Sequence, residues 1–145
     1  MNRLIYTYLL TSLLVSISCM AEASPASKTK EANRLYEEGR YEEALKKYDE
    51  AQEELPDSDI INFNKGNALY KNSEFDKAVE AFTQSLTTED PKLEAYAYYN
   101  IGNTKYMIAN QGLGKDPLRS AELYKEALEY YKRAIELNEK DMDAK

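Results

Sequence analysis

The stretch at residues 63–86 reads FNKGNALYKNSEFDKAVEAFTQSL and divides into two segments with helical periodicity. In the second segment Phe75, Ala78 and Phe82 recur at intervals of three and four residues, which places them on one face of a helix. The small residues Gly66 and Ala78, one in each segment, would let two helices approach closely. The stretch therefore predicts two helices that pack against each other around a short turn.

The same two-part phrase occurs three times, and such self-similarity indicates a repeat architecture. Ala44 and Ala78 are equivalent and stand 34 residues apart, and the third copy has Ala127 at this position. The second halves of the copies are YEEALKKYDEA (41–51), FDKAVEAFTQS (75–85) and YKEALEYYKRA (124–134), and the first halves are EANRLYEEG (31–39), KGNALYKNS (65–73) and IGNTKYMIA (101–109). We therefore expect one domain over residues 24–145, with repeats near 25–58, 59–92 and 93–145.

This pattern resembles the tetratricopeptide repeat, a helix–turn–helix unit of about 34 residues with small residues at its eighth and twentieth positions. The second copy matches best, in Gly66, Leu69, Tyr70, Phe75, Ala78, Phe82 and Leu86. The resemblance implies an all-α solenoid of three repeats whose first helices line a concave groove. It also implies that the protein binds other proteins.

The third copy has 13 additional residues between its two halves. Residues 110–115, NQGLGK, have the glycine content of a loop. Residues 116–138 begin with Asp-Pro, a capping residue before a proline at the first helical position, and continue with apolar residues at helical spacing. The same pair at Asp90-Pro91 predicts another helix start. We therefore predict a loop at 110–115 and a second helix extended at its N-terminus by about two turns. The last residues, EKDMDAK (139–145), look like the start of another first helix, which would leave an apolar face of the third hairpin exposed.

Residues 1–23, MNRLIYTYLLTSLLVSISCMAEA, have the order of a secretory signal, with one early cation, an apolar run and then small residues. Two alternative processing sites are compatible with this segment. The Ala-Glu-Ala at 21–23 suits cleavage before Ser24, whereas SISC resembles a bacterial lipobox with Cys19 as the lipid acceptor. An uncleaved anchor and a buried N-terminal helix are the remaining alternatives. We expect an exported protein, periplasmic or envelope-associated, that meets the membrane only through a lipid or signal anchor.

The composition argues against several classes of function. The formal net charge is −7 and the sequence has no basic cluster, so nucleic acid is not an expected partner. The chain has no His and one Cys, which rules out a His-based triad, a Cys/His zinc site and an internal disulfide. The GLGK at 112–115 lacks the leading glycine, the following Ser or Thr and the preceding strand of a phosphate-binding loop. We therefore predict no catalysis, no metal and no cofactor.

Asparagines recur at fixed positions of the predicted first helices, either directly after the small residue or three residues earlier on the same face. An Asn amide offers a donor and an acceptor, as a peptide backbone does. The series resembles the asparagine ladder by which tetratricopeptide proteins hold extended peptides, and nearby aromatic residues would add apolar walls. The alternative is that these amides only join neighbouring helices. The candidate groove residues are Asn33, Asn64, Asn67, Asn100, Asn103, Phe63, Tyr70, Tyr99 and Tyr106.

Three sequence segments in the third copy make the resemblance specific to one group of tetratricopeptide proteins. YYNIGNTKY (98–106), ALEYYKRA (127–134) and DMDAK (141–145), together with the signal sequence, look like the small tetratricopeptide proteins of bacterial aerotolerance (Bat) operons. This resemblance implies a membrane-anchored von Willebrand factor A-domain protein as the partner and an envelope stress response as the setting. The other function that the sequence leaves open is a structural module that self-associates through its C-terminal helix face.

Overall fold

The computed structural model describes residues 24–143, so the predicted signal segment with Cys19 lies outside the described residues. Within residues 24–143 the chain forms helices joined by short connections and contains no strand. The six helices in this range are α1 (Pro25–Glu37), α2 (Tyr41–Glu54), α3 (Asp59–Lys71), α4 (Phe75–Ser85), α5 (Pro91–Gly112) and α6 (Pro117–Asp143). The predicted all-α class is confirmed.

The helices pair into three hairpins, α1 with α2, α3 with α4 and α5 with α6. Each later hairpin packs on the one before it, because α3 contacts α2 and α1, and α5 contacts α4 and α3. Every hairpin thus touches only its neighbours along the chain. This is the architecture of a solenoid, as the repeat pattern predicts.

Two of the helix starts follow directly from the Asp-Pro pairs in the sequence. The Asp90 carboxylate accepts a hydrogen bond of 2.9 Å from the backbone N–H of Lys92. The Asp116 carboxylate accepts one of 3.0 Å from the backbone N–H of Arg119. Each carboxylate thus satisfies a first-turn donor that has no partner within its helix, and both predicted caps are confirmed.

The turns of the first two hairpins share one backbone conformation. Gly39 has a φ of 76°, and Ser73, at the equivalent position, has a φ of 62°. The next residues, Arg40 and Glu74, each donate a backbone hydrogen bond of 2.9 Å to the carbonyl five residues earlier. The left-handed region suits glycine and costs other residues about 1–2 kcal/mol, so the second turn holds a strained serine where the first holds glycine.

The third hairpin corrects the sequence prediction at its tip. α5 continues to Gly112, so the first half of the predicted loop at 110–115 is helical and the turn covers only 113–116. By repeat register, α5 ends five residues later than α3 does, and α6 begins seven residues earlier than α4 does. The extension of the second helix is confirmed, but the insertion lengthens the first helix as well.

Packing between the two added segments explains this difference. Ala109 of α5 has no exposed surface and Ser120 of α6 is 1% exposed. A Cβ atom added to Gly112 would lie 3.1 Å from the Ser120 hydroxyl oxygen, so the two helices run close together. The rings of Tyr106 and Tyr124 pack at a centroid distance of 5.4 Å below them. Each added segment therefore contributes one buried residue where the two helices pack, which a loop at this position would not achieve.

α6 also corrects the prediction at the C-terminal side. The helix runs without a break to Asp143, so residues 139–143 continue it and do not begin a separate helix. After Pro117 its residues include no glycine or proline, and Glu, Lys and Ala in its last part favour continued helix. Among residues 24–143, no helix is both long and apolar enough to cross a membrane.

Candidate protein-binding surface

The five predicted asparagines all lie on the first helices of the hairpins. Asn33 is on α1, Asn64 and Asn67 are on α3, and Asn100 and Asn103 are on α5. The Asn64 amide nitrogen donates to the Asn33 side-chain oxygen at 3.4 Å, and the Asn100 amide nitrogen donates to the Asn67 side-chain oxygen at 3.0 Å. Each contact joins one hairpin to the next. The structure thus brings the predicted residues together as two linked pairs, with Asn103 after them on α5.

Two asparagines are also held from the second helix of their own hairpin. The Tyr48 hydroxyl donates to the Asn33 side-chain oxygen at 2.6 Å, and the Tyr131 hydroxyl donates to the Asn103 side-chain oxygen at 2.9 Å. The second hairpin has Phe82 at this position, which has no hydroxyl to donate. The aromatic residue four positions after the repeat alanine therefore orients the asparagine in the first and third hairpins.

The two tyrosine hydroxyls keep their protons over a wide pH range. Burial is the largest cause of a raised pKa at both Tyr48 and Tyr131, and the neighbouring Tyr36 and Tyr99 raise the respective pKa further. A tyrosine in water has a pKa of about 10. Both hydroxyls are thus protonated at neutral pH and remain donors to the asparagines.

These contacts determine which amide atoms are left for a ligand. The side-chain oxygens of Asn33, Asn67 and Asn103 accept hydrogen bonds, and their amide nitrogens donate none within the described part of the chain. Asn64 and Asn100 show the reverse, since their nitrogens donate and their oxygens accept no bond from a described residue. Unused donors and acceptors therefore alternate from α1 to α5.

The four predicted aromatic walls separate into two pairs. Phe63 and Tyr70 on α3 are partly buried and pack against the core cluster that contains Phe82. Tyr99 and Tyr106 on α5 are 51% and 47% exposed. The difference arises because α5 packs beside the second hairpin, whereas no described helix packs beside the third. Only the second pair presents large aromatic surfaces to solvent.

A groove of about 790 Å³ lies between the first half of α5 and the second half of α6. Of the predicted residues, Tyr99 and Asn103 line this groove and Tyr106 does not. The other residues that line the groove were not predicted as site residues. They are Pro91, Lys92, Ala95, Tyr96, Tyr131, Ala134, Ile135, Leu137 and Asn138. Helical spacing could have identified two of them, since Tyr96 precedes Tyr99 by three residues and Ile135 follows Tyr131 by four.

A second cavity, of about 530 Å³, is lined by polar residues of α2, α3 and α4. Two of its three lysines form ion pairs. The Lys65 ammonium lies 2.7 Å from an Asp49 carboxylate oxygen, and the Lys77 ammonium lies 2.6 Å from a Glu74 carboxylate oxygen. The α5–α6 groove, with its larger apolar lining, is therefore the stronger candidate for a protein contact.

Two family models described as tetratricopeptide repeat match the chain, one over residues 29–94 and the other over residues 118–141. Together they cover more than half of its 145 residues. The chain belongs to the tetratricopeptide repeat family. Domains of this family generally mediate protein–protein interactions and act as scaffolds.

Individual relatives agree with this assignment. Tetratricopeptide repeat protein 12 of Homo sapiens is 25% identical over 108 residues, which are 74% of this chain and 13% of that protein. A solved chain named MamA MSR-1 C2 superposes with a TM-score of 0.67 and 22% identity, covering 90% of this chain and 67% of that chain. This likeness confirms the repeat fold.

Proposed function

We propose that this tetratricopeptide protein is an adaptor that binds an extended segment of a partner protein along the asparagines of α1, α3 and α5. The observation that carries this proposal is the alternation of unused amide donors and acceptors from Asn33 to Asn103. An extended backbone has N–H and C=O groups to offer, whereas a helix uses most of its own internally. The series therefore suits an extended segment.

Preorganisation of the amides supports the proposal. The oxygens of Asn33 and Asn103 are held by tyrosine hydroxyls, and the Asn67 oxygen is held by Asn100. Each of these amides has one side fixed by the protein, so little side-chain freedom is left to lose when a ligand binds.

An Asn67→Ala variant tests this function, because Asn67 lies in the middle of the series. Crosslinking in the native envelope first identifies the bound segment, and a synthetic peptide of that segment is then titrated by fluorescence anisotropy. We expect binding about tenfold weaker, since a donor to the peptide is lost and the Asn100 amide loses its acceptor.

Asn110→Ala is the matched control. The Asn110 side-chain oxygen accepts a hydrogen bond of 2.7 Å from the Tyr124 hydroxyl near the tip of the third hairpin, outside the asparagine series. This control should bind the peptide as the parent does. Equal weakening in both variants, or weakening that follows a lower melting temperature, would contradict the proposal.

We further propose that the protein is exported and acts in a bacterial envelope stress complex with a membrane-anchored von Willebrand factor A-domain protein. The support is the signal-like order of residues 1–23 and the Bat-like phrases of the third hairpin. The mass of the mature N-terminus distinguishes a lipidated Cys19 from a chain that begins at Ser24. Crosslinked products that contain other proteins but no A-domain protein would contradict the proposed partner.

A further inference from the structure

The end face of the third hairpin is formed by residues at the same repeat positions as faces that a following helix covers in the earlier hairpins. In the second hairpin, Phe63, Val79 and Leu86 pack against a core cluster that also contains Ile101 of α5. By repeat register, their equivalents in the third hairpin are Tyr99, Leu128 and Ile135. These are 51%, 53% and 57% exposed, whereas the second-hairpin residues are partly buried. The third hairpin therefore presents a helix-packing face that no described helix covers.

The hydrogen bonds accepted by the equivalent Asn33 and Asn103 differ at the same uncovered face. Asn33 accepts two hydrogen bonds, one from Tyr48 of its own hairpin and one from Asn64 of the helix that packs next to it. Asn103 is equivalent to Asn33 and accepts from Tyr131 of its own hairpin. Among the described residues, no second donor reaches the Asn103 oxygen. A helix packed on this face in the repeat register would supply that donor.

The path of α6 shows that the described chain does not cover this face itself. α2 ends ten residues after Ala44 and α4 ends seven residues after Ala78, and in both cases the chain then turns back into the covering helix. α6 instead continues for sixteen residues after Ala127. Leu137 of this continuation lines the groove and lengthens its apolar wall. The uncovered face of the third hairpin is thus longer than the equivalent faces of the earlier hairpins, which the next helix covers.

We propose that the groove between α5 and α6 binds an amphipathic helix of a partner protein, in the way that α5 packs on α3 and α4. The contact between α5 and the second hairpin defines the chemistry of that helix. Buried Ala97, Ile101 and Thr104, with Asn100 beside them, form the face of α5 that enters the structure. The partner helix therefore carries small and aliphatic residues at this spacing, and an Asn or similar donor for the Asn103 oxygen.

This helix site goes beyond the asparagine series proposed above, because its apolar contacts are separate from it. Leu128 and Ile135 belong to α6, which contributes no asparagine to the series. The two sites meet at Asn103. Asn67→Ala should therefore weaken binding of the extended segment and leave binding of the helix unchanged.

A labelled synthetic peptide of residues 91–112 is the probe, because α5 is the helix that packs on the equivalent face of the second hairpin. Fluorescence anisotropy measures its binding to the full chain. We expect saturable binding that Ile135→Glu weakens by about tenfold or more, since a carboxylate would be buried without a partner. Leu118→Glu is the matched control, because Leu118 is an aliphatic residue of α6 that is 81% exposed and lies outside the groove.

Further variants and measurements test this proposal. The same peptide with Ile101→Glu should not bind, and equal binding of both peptides would overturn the proposal. Leu128→Glu is the second variant, at the 53% exposed residue that is equivalent to the partly buried Val79 of the second hairpin, and it should also weaken binding. Circular dichroism checks that each variant folds. Sedimentation equilibrium tests a second copy as the occupant, and a dimer of the parent chain that Ile135→Glu dissociates would overturn the partner-helix proposal.

Discussion

Gly66 lies directly against the ring of Phe82, and a Cβ atom added to Gly66 would be 2.6 Å from Cδ1 of that ring. The third hairpin repeats this relationship, since a Cβ atom on Gly102 would be 2.7 Å from Cε1 of Tyr131. Phe82 is 1% exposed, and its ring also packs edge-on against the ring of Phe63. The glycine of the first helix thus sets how closely the aromatic of the second helix can pack.

Gly66→Ala is expected to destabilise the protein by up to about 2 kcal/mol. Overpacking a buried site costs about 1–3 kcal/mol, and the better helix propensity of alanine offsets about 1 kcal/mol of it. Urea unfolding measures the free energy. Gly114→Ala is the control, because nothing lies within 4 Å of an added Cβ atom there. If Gly66→Ala were as stable as this control, the close contact with Phe82 would not limit the packing.

Ser73→Gly is expected to stabilise the protein by about 1 kcal/mol, because Ser73 has a φ of 62° in the left-handed region. The gain is partly offset by the greater freedom of glycine in the unfolded chain. Gly39→Ser, at the equivalent turn with a φ of 76°, should destabilise by a similar amount. Thermal melting of the two variants measures both changes. Shifts of the same sign would contradict the assigned turn conformation.

The free energy of unfolding is expected to fall as the pH rises above about 10. Burial raises the pKa of Tyr48 and Tyr131, so the unfolded chain loses these protons at a pH at which the folded chain still holds them. The contribution of these two tyrosines to stability is complete below the pKa that they have in the unfolded chain, and it is lost progressively as the pH rises above that value. A Tyr48→Phe, Tyr131→Phe double variant should show a shallower decline, measured by urea unfolding at several pH values. Tyr96→Phe, at a half-exposed site, is the control and should decline as the parent does.

The lengthened tip of the third hairpin is expected to be separable from the groove. Replacing residues 108–123 by the Asn-Ser-Glu turn of residues 72–74 restores the spacing of the second hairpin. The shortened protein should fold with a lower helical content, because parts of both α5 and α6 are removed. It should also keep its binding to the groove peptide, because the groove residues lie in 91–103 and 131–138.

Circular dichroism and the anisotropy titration check the two parts of this prediction. We expect a loss of stability of about 1–3 kcal/mol, since buried Ala109 and Ser120 are removed. A folded, shortened protein that no longer binds the groove peptide would assign a binding role to the tip.

Much of the fold and part of the site could be predicted from the sequence. The spacing of Ala44, Ala78 and Ala127 indicated the hairpins, and the Asp-Pro pairs indicated two helix starts, because periodicity and capping depend on nearby residues. The positions of the five asparagines on the first helices were also readable. The end of α5 could not be predicted, because Asn110–Gly112 are helical where α5 packs closely against Ser120 of α6, and that contact joins two different helices.

The sequence by itself determined that this chain folds as stacked helical hairpins with asparagines at repeated positions. The tertiary structure alone decided which amide atoms are free, because Tyr48 and Tyr131 hold the asparagines from another helix. The tertiary structure also decided which of the equivalent aromatic side chains are exposed to solvent. Phe63 and Tyr99 occupy equivalent repeat positions, yet Phe63 is partly buried and Tyr99 is half exposed, because α5 packs beside the second hairpin and no described helix packs beside the third.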